Sequence, residues 1–480
     1  CVMNRKDFPH FVLAYSDWIN LIILIELLLY LVKRWLKFSP ESEFINFILN
    51  PKENITLKQV YRLWLPLAGS WFLMGTETPT LSAFVARMAL PEINLAAWGS
   101  LVYPISLAIE GPIIMLLAAS TALASDKNAY NKLFKYMWIM SGVLSLIHVL
   151  VAFTPIFNWV ASELLQVPAE LHEPGRIGLQ IMTPWTVMIA WRRLNQGVMI
   201  KYGNSRAVAM GTAIRLTSLL TILTIGKQFT ELSGVIVGSA AVAISVTMEA
   251  LYAHNAVQNI LRNTIPKSSD GNPITRKSFI SFYLPLAMTP LLALLIHPAG
   301  AAGMSRMPNP LLSLAAWPVV YGLIFLTRGV GFAFNEVVVS LAGKPGGMDQ
   351  LRRFARILAL ATMSVMAVVA FTPLGKIWFR DISGLSAELT HLSSVTIMFA
   401  ILMPGYQVYQ SWYGGLLVHN HRTRGISEAV IVYVSLALTG LWLGSQYSTV
   451  PGIYWTINVF VISGLCQTFF LRYRYKRISI

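Results

Sequence analysis

The residues of this sequence that could do chemistry are charges set inside long apolar stretches. Glu77, Glu110, Glu249, Glu336 and Glu428, together with Arg192, Arg193, Arg215 and Arg328, interrupt runs that are otherwise Leu, Ile, Val, Ala, Phe and Gly. In hydrocarbon such a group costs several kcal/mol unless it faces a cavity or a partner, so each marks a site for ions or substrate. Glu77 stands in Gly75-Thr76-Glu77-Thr78-Pro79, where proline removes a backbone hydrogen bond and opens the helix beside a carboxylate and two hydroxyls. That composition suits a proton or cation site; the alternative is a carboxylate that caps freed amides or snorkels to the interface. Pro298, preceded by His297, repeats the pattern in the second half of the chain, so Pro79 and Pro298 are read as paired kinks that gate a cavity.

Two further constellations follow. Glu110 precedes Gly111-Pro112, and 218 residues later Arg328 precedes Gly329, which puts opposite charges at corresponding positions. They are expected either to pair across a cleft as a gate or to find separate local partners. Arg192 and Arg193 follow Trp191, where the second half carries Gln410 and Ser411. Two guanidiniums in a cavity fit an anionic substrate, and two at a helix end fit lipid phosphates. Arg87 and Arg306, at helix ends, are expected to anchor headgroups. Trp71, Trp185, Tyr406, Tyr409 and Trp412 have the residue types that stack on a cargo, but interfacial belts use the same types and packing is the preferred reading.

Other chemistry finds no carrier. No phosphate-binding lysine loop, Gly-x-Ser-x-Gly elbow or zinc-protease histidine pair occurs, so the chain is expected not to be an enzyme and to draw its energy from gradients. No cofactor or metal is expected: His419-Asn420-His421 has metal-like spacing without further ligands, and Cys1 and Cys466 suggest no disulfide framework. The sequon Asn54-Ile55-Thr56 is set aside on topology. Since the chain opens on Cys1, either it starts within a longer chain or Met3 is the start; no cleavable signal is expected.

The elements that must position these charges are membrane helices. With 55% hydrophobic and 12% charged residues and a mean hydropathy of +0.59, the chain has too little polar surface for a water-soluble globule. Apolar runs of about 20 residues recur throughout, the length that crosses a hydrocarbon core of roughly 30 Å. Twelve spans are expected, roughly 61–87, 95–124, 131–155, 176–202, 206–226, 232–255, 280–303, 313–342, 354–373, 390–418, 426–445 and 450–473, with an extra hydrophobic helix at 11–32. Net charge is +16, yet 25 of the 37 Lys and Arg fall in alternate loops on one face and eight on the other. That is the positive-inside bias rather than a nucleic-acid footprint; it places the C-terminus in the cytoplasm.

Residues 58–255 and 277–473 align at an offset of 218 to 219. Leu65-Pro66-Leu67-Ala68 matches Leu284-Pro285-Leu286-Ala287, and Leu95-Ala96-Ala97-Trp98 matches Leu314-Ala315-Ala316-Trp317. The expected organisation is an N-terminal helix and polar linker (1–57), a six-helix lobe (58–255), a cytoplasmic joint (256–276) and a second six-helix lobe with a basic tail (277–480). Parallel repeats of this kind imply a transporter whose lobes rock about a central site.

On specific residues the sequence also resembles a known family. The stretch from Phe84 through Arg87, Pro91 and Asn94 to Gly99 looks like the pattern between the first two helices of multidrug and toxic-compound extrusion (MATE) proteins. Lys201-Tyr202-Gly203-Asn204-Ser205-Arg206 is similar to that family's Gly-Asp-Thr-Arg turn, with Asn204 in place of the usual Asp, and Arg422-Thr423-Arg424 matches it in the second half. The shared arginines at 87 and 306 also resemble the progressive ankylosis family, linked to export of small anions, while flippases of lipid-linked precursors share the fold. The resemblance implies an all-α integral membrane protein with two pseudo-symmetric six-helix lobes. Its implied activity is export of a small organic or anionic compound by alternating access, as an antiporter coupled to H⁺ or Na⁺ through Glu77 or Glu110, with a lipid-linked-precursor flippase as the alternative. Membrane lipids and the substrate are the expected partners, with no nucleic acid, and the protein is expected to work as a monomer in a plasma or inner membrane.

Overall fold

The computed structural model describes residues 55–267, 274–420 and 422–477; the expected helix at 11–32 lies outside the described residues. Where the apolar runs begin, local signals start the helices. Thr56 caps α1 (Leu57–Gly75) with a full capping box to Gln59, and 219 residues on, Thr275 caps α9 (Arg276–Leu294) through Ser278 in the same way. Between them come α2 (Glu77–Val85), α3 (Pro91–Leu123), α4 (Lys127–Phe153), α5 (His172–Ile181), α6 (Thr183–Lys201), α7 (Ser205–Phe229) and α8 (Gly234–Asn263). The second half continues with α10 (Ile296–Ser305), α11 (Pro310–Leu341), α12 (Gly347–Phe371), α13 (Ala387–Phe399), α14 (Leu402–His419), α15 (Arg424–Tyr447) and α16 (Gly452–Lys476).

The duplication extends to unusual backbone. Leu90 (φ 49°) and Asn309 (φ 54°) are both left-handed immediately before the prolines that open α3 and α11. Among the described residues nine helices are long and apolar enough to cross a membrane, ten if α13 and α14, bent by 43°, form one span. The other two helical stretches, α1–α2 and α5–α6, are broken at Thr76 and Met182 and carry Glu77, Arg192 and Arg193. α8 runs to Asn263 and α9 starts at Arg276, so the joint is shorter than the sequence suggested.

Proline sets the breaks that matter. A proline at position i leaves the carbonyl at i−4 without its helical donor. α1 ends at Gly75, four residues before Pro79, and α9 ends at Leu294, four before Pro298. Each broken helix thereby changes neighbours. α1 packs on the second half, where Ile55 and Val60 join Phe334, Val337, Leu351, Phe354 and Trp412 in one apolar cluster, and Trp64 Nε1 donates to the Val330 carbonyl at 2.9 Å. α2, past the break, keeps its contact with α11, where Gly322 receives Pro79, and adds α7 and α8 of its own half. α9 does the converse: Phe279 stacks on Tyr136 at 4.7 Å, and the Tyr283 hydroxyl donates to the Pro112 carbonyl.

The halves meet along α3 and α11. Gly99 and Pro318 correspond in the repeat and also touch each other; a Cβ on Gly99 would sit 2.8 Å from Pro318 Cδ. Contact between equivalent positions puts them at the pseudo-twofold axis. Away from the basic end of the molecule, two arginines bridge the halves reciprocally. Arg87 Nη2 donates to the Asp381 and Ile382 carbonyls at 2.6 and 2.8 Å, and Arg306 donates to the Leu164 and Leu165 carbonyls at 2.8 and 3.5 Å. These acceptors are themselves about 218 residues apart, at the ends of wide helical turns Val160–Leu164 and Ile377–Ile382 whose last carbonyls lack intrahelical donors. The headgroup role expected for Arg87 and Arg306 is therefore corrected: each guanidinium bridges a carbonyl of its own helix, Ala83 or Ala302, to those of the opposite half.

A side chain at Gly99 has no room without parting α3 from α11, whereas a Cβ on Gly142, on the exposed face of α4, meets nothing within 4 Å. Gly99→Val should lower the melting temperature of the purified protein by several degrees. Gly142→Ala should leave it unchanged or raise it, since alanine is favoured in a helix by roughly 0.5–1 kcal/mol. Dye-monitored thermal unfolding in detergent reads both.

Candidate substrate and ion site

Mid-membrane charge is concentrated where α2, α3, α6, α7 and α8 converge. Arg192 lies in the middle of α6 and is 5% exposed; Glu249 on α8 is fully buried. Arg192 Nη1 donates to Glu249 Oε2 at 2.6 Å, and Gln196, one turn along α6, donates to Glu249 Oε1 at 3.0 Å. Arg215 on α7 grips Glu77, with Nη2 at 2.5 and 2.7 Å from the two carboxylate oxygens, and its Nη1 lies 3.8 Å from Glu249. Helix packing explains the reach: Gly211, one turn before Arg215, lets α7 approach Glu249, whose Cγ would lie 3.4 Å from a Cβ there. The result is a chain of alternating charge, Arg192, Glu249, Arg215, Glu77, in which each buried charge has an opposite neighbour.

Glu110 and Arg193 stand apart from that chain. Glu110 is 5% exposed, and its Oε2 has no hydrogen-bond partner. No ion pair joins it to any described residue, although Arg193, Arg192 and Arg215 all act on it electrostatically. Arg193, half-buried, likewise has no ion pair among the described residues, and its Nε is unsatisfied. Glu110 sits where α3 loosens into a tighter turn at Gly111–Ile113, the local effect of Pro112.

In the second half the corresponding position carries the opposite sign and different partners. Arg328 Nε and Nη2 both donate to Gln407 Oε1, at 3.2 and 2.6 Å, and its guanidinium lies 5.7 Å from the ring centroids of Phe332 and Tyr406. His297 packs edge-on to Tyr321 at 5.0 Å on this side. Pro79 and Pro298 flank the centre; Gly322 on α11 admits Pro79, with a Cβ there 3.2 Å from the proline ring.

Of the residues picked out in the sequence, the structure brings Glu77, Glu110, Arg192 and Arg193 to one centre and places His297 and Arg328 together in the other half. It does not join Glu110 to Arg328 as a gate pair, because Arg328 is held by Gln407 and two rings while Glu110 faces the arginines of its own half. Arg192 does not reach lipid phosphates either, since its head is buried against Glu249. Glu249 and Arg215 were visible as intramembrane charges but were not assigned to the site. Their signal was complementarity of sign between α6, α7 and α8, which only packing reveals. Glu336 and Glu428 lie elsewhere: Glu336 is exposed, and Glu428 bridges Arg424 and Arg474 at 3.1 and 3.0 Å. Trp185, Tyr406 and Trp412 are buried packing residues, as read from the sequence, and Tyr406 also faces Arg328. Of the metal-like pair, His419 contacts the Val339 carbonyl, His421 is outside the described residues, and no metal-binding cluster occurs among those described.

The two stretches that carried the family resemblance have structural work. Asn94 donates to the Ala89 and Leu90 carbonyls and accepts from Val235 N at 3.1 Å, fixing the left-handed turn to the start of α8. Tyr202 and Lys201 donate to carbonyls at the end of α3, tying the α6–α7 turn to it, with Gly203 at φ 79°.

No protein-family model and no curated protein matches this sequence. Solved structures do match in fold. A multidrug resistance MATE family transporter of the MOP superfamily, in its inward-facing conformation, aligns over 84% of this chain and 95% of its own length, with a TM-score of 0.67 and 14% identity. A MOP superfamily transporter from Pyrococcus furiosus aligns over 89% of this chain and all of its own, with a TM-score of 0.58 and 13% identity. The lipid II flippase MurJ, in an inward closed conformation, covers 84% of this chain and 87% of its own at a TM-score of 0.54 and 13% identity. The chain is thus an integral membrane protein with the MATE transporter fold, a fold also solved in an outward-facing conformation.

Removing one member of the buried chain strands the rest. Glu249→Ala leaves Arg192 and Arg215 facing each other without the carboxylate, at a cost of about 3–5 kcal/mol. Its melting temperature should fall well below that of the parent, and Arg192→Leu added to Glu249→Leu should recover most of the loss. Equal melting temperatures for Glu249→Ala and the parent would contradict the ion pairing.

Proposed function

We propose that this chain is a secondary active transporter and not an enzyme. Two six-helix halves, twelve spans in all, alternate access to the charged centre between them and move a small organic or anionic compound by ion coupling. The observation that carries this reading is Glu110: a buried mid-membrane carboxylate with an unsatisfied oxygen, in the field of three arginines but bonded to none. A scaffold has no use for such a group, whereas a coupling site needs an acid able to take and release H⁺ or hold Na⁺. Glu77 suits coupling less, because Arg215 holds both its oxygens. The positive-inside bias puts the basic end and the C-terminus in the cytoplasm of a plasma or inner membrane, so the arginine clasps lie on the outer side. The reading requires no cofactor and takes the protein as a working monomer, with lipids and cargo as its partners.

Cargo is anionic in this reading. Arg193 and Arg328 are mid-membrane cations without a carboxylate partner among the described residues, and small-anion export is also what the resemblance to progressive ankylosis proteins implies. The Pyrococcus furiosus neighbour is described as having a binding pocket of reverse polarity that suggests a different function, so the fold accommodates a change of charge. The flippase reading rests on the MurJ likeness and would require the α1–α11 or α3–α9 seam to part for a lipid tail.

Proteoliposomes offered labelled citrate, phosphate compounds and cationic dyes, under imposed pH and Na⁺ gradients, test this reading. The parent should show gradient-driven flux of an anion. Glu110→Gln should lose the gradient dependence, by at least about tenfold in rate, while still exchanging labelled for unlabelled cargo. Full gradient drive in Glu110→Gln would remove Glu110 from coupling. Absence of soluble flux alongside translocation of a lipid-linked pyrophosphate would replace the exporter with the flippase.

A further inference from the structure

The guanidinium of Arg328 is only half used. Arginine presents two forks, one made by Nε and Nη2 and one made by Nη1 and Nη2. Gln407 Oε1 occupies the first. Since Arg328 can only donate, the oxygen of Gln407 must face it, which turns the Gln407 amide N–H₂ away toward other acceptors. Neither Arg328 Nη1 nor Gln407 Nε2 makes a hydrogen bond to any described residue, and neither is among the sealed, unsatisfied atoms of the interior, so both remain reachable.

Around this fork no described residue supplies a negative charge. Tyr321, Tyr406 and Tyr433 are within electrostatic range of Arg328, and their hydroxyls likewise make no hydrogen bond and are not sealed. Phe332 lies against the guanidinium on one side and against Trp71 of the first half, 5.0 Å away, on the other. A structural arginine at this depth would be expected to hold a carboxylate, as Arg192 and Arg215 do. Arg328 instead has a neutral amide that orients it, aromatic walls that exclude water, and an open end fork.

We propose that the Nη1–Nη2 fork of Arg328, with Gln407 Nε2 and the surrounding phenols, binds the oxyanion of an organic carboxylate or phosphate whose less polar body lies along Phe332. A carboxylate or phosphate accepts two parallel N–H bonds from the fork and further donors from amide and phenol, replacing its hydration in kind. Because Trp71 belongs to the helix that crosses between the halves, a ligand here touches both. The proposal deepens the anionic-cargo reading above and rests on it for its role in transport, but binding itself requires no flux.

Equilibrium binding keeps the two readings separate. The full chain in phosphatidylcholine nanodiscs is titrated with citrate and with pyrophosphate, followed by calorimetry and by Trp fluorescence, and a parallel set of discs contains phosphatidic acid. The parent should bind one of these anions, with Arg328→Gln weakening it at least about tenfold and Arg328→Lys giving an intermediate loss because a point charge lacks the fork. Gln407→Glu, which supplies the protein's own anion to the same arginine, should abolish binding while leaving the melting temperature unchanged or higher; it guards against misfolding of the Arg328 variants. Protection by phosphatidic acid alone, lost in Gln407→Glu, would assign the site to a lipid headgroup. Unchanged anion affinity in both Arg328→Gln and Gln407→Glu, or no binding by any of the three probes, would overturn the proposal whatever the transport assays show.

Discussion

A bilayer interior offers no water to a charge or to a backbone amide, and this constraint shapes the rest of the molecule. Every polar group placed at mid-depth must find its partner inside the protein or face a space that something polar enters. Arg192, Glu249, Arg215 and Glu77 satisfy the rule by alternating in sign along a buried chain. Glu110, Arg193 and Arg328 form no ion pair with any described residue, and so they define where the described interior is unfinished. The same logic governs the backbone. The carbonyls freed at Gly75 and Leu294 by Pro79 and Pro298 turn two helices into four short ones, and each broken helix spends its basic-end portion on the opposite half.

That exchange of partners links packing to motion. On the side opposite the basic face, the halves are held by Gly99 against Pro318 and by the reciprocal Arg87 and Arg306 clasps. The clasp bonds are polar and sit on carbonyls already free of helical donors, but between the clasps α3 and α11 share the apolar core, with Leu95, Ala96 and Trp98 buried alongside Leu314, Ala315 and Trp317. The apolar α3–α11 contact suits a pivot, and the polar clasps beside it are the part that can open and reclose. The duplication makes the two sides of the junction match, since both the donors and the acceptors recur at the repeat offset.

Much of this was legible in the sequence, and the part that was not has a physical cause. Apolar run length gave the helical membrane architecture, and the offset of 218 to 219 found in the sequence recurs in the backbone, where Thr56 and Thr275, and Leu90 and Asn309, play equivalent local roles. Intramembrane charges pointed to Glu77, Glu110, Arg192, Arg193 and Arg328. Their pairing was not legible, because which charges meet depends on helix rotation and crossing, which periodicity does not fix. Glu110 and Arg328 share a repeat position, yet equivalent positions come together only near the axis, as Gly99 and Pro318 do; farther along α3 and α11 each faces its own half. Arg87 and Arg306 were misread for a related reason: an arginine at a helix end reads as a headgroup anchor until the carbonyls across the junction are seen.

The claim on which the rest depends is that the two halves rock about the α3–α11 contact, closing one end as the other opens. Spin labels at Phe153 and Phe371, exposed equivalent sites at the clasped end, and at Asn131 and Asp349, exposed equivalent sites at the basic end, report this directly in a background with Cys1 and Cys466 replaced by Ser. Pulsed electron-electron resonance in nanodiscs, with Arg87 and Arg306 intact and then both changed to Ala, should show the 153–371 distance lengthen as the 131–349 distance shortens. Distances that stay fixed at both ends, or that change in the same direction, would contradict the rocking mechanism.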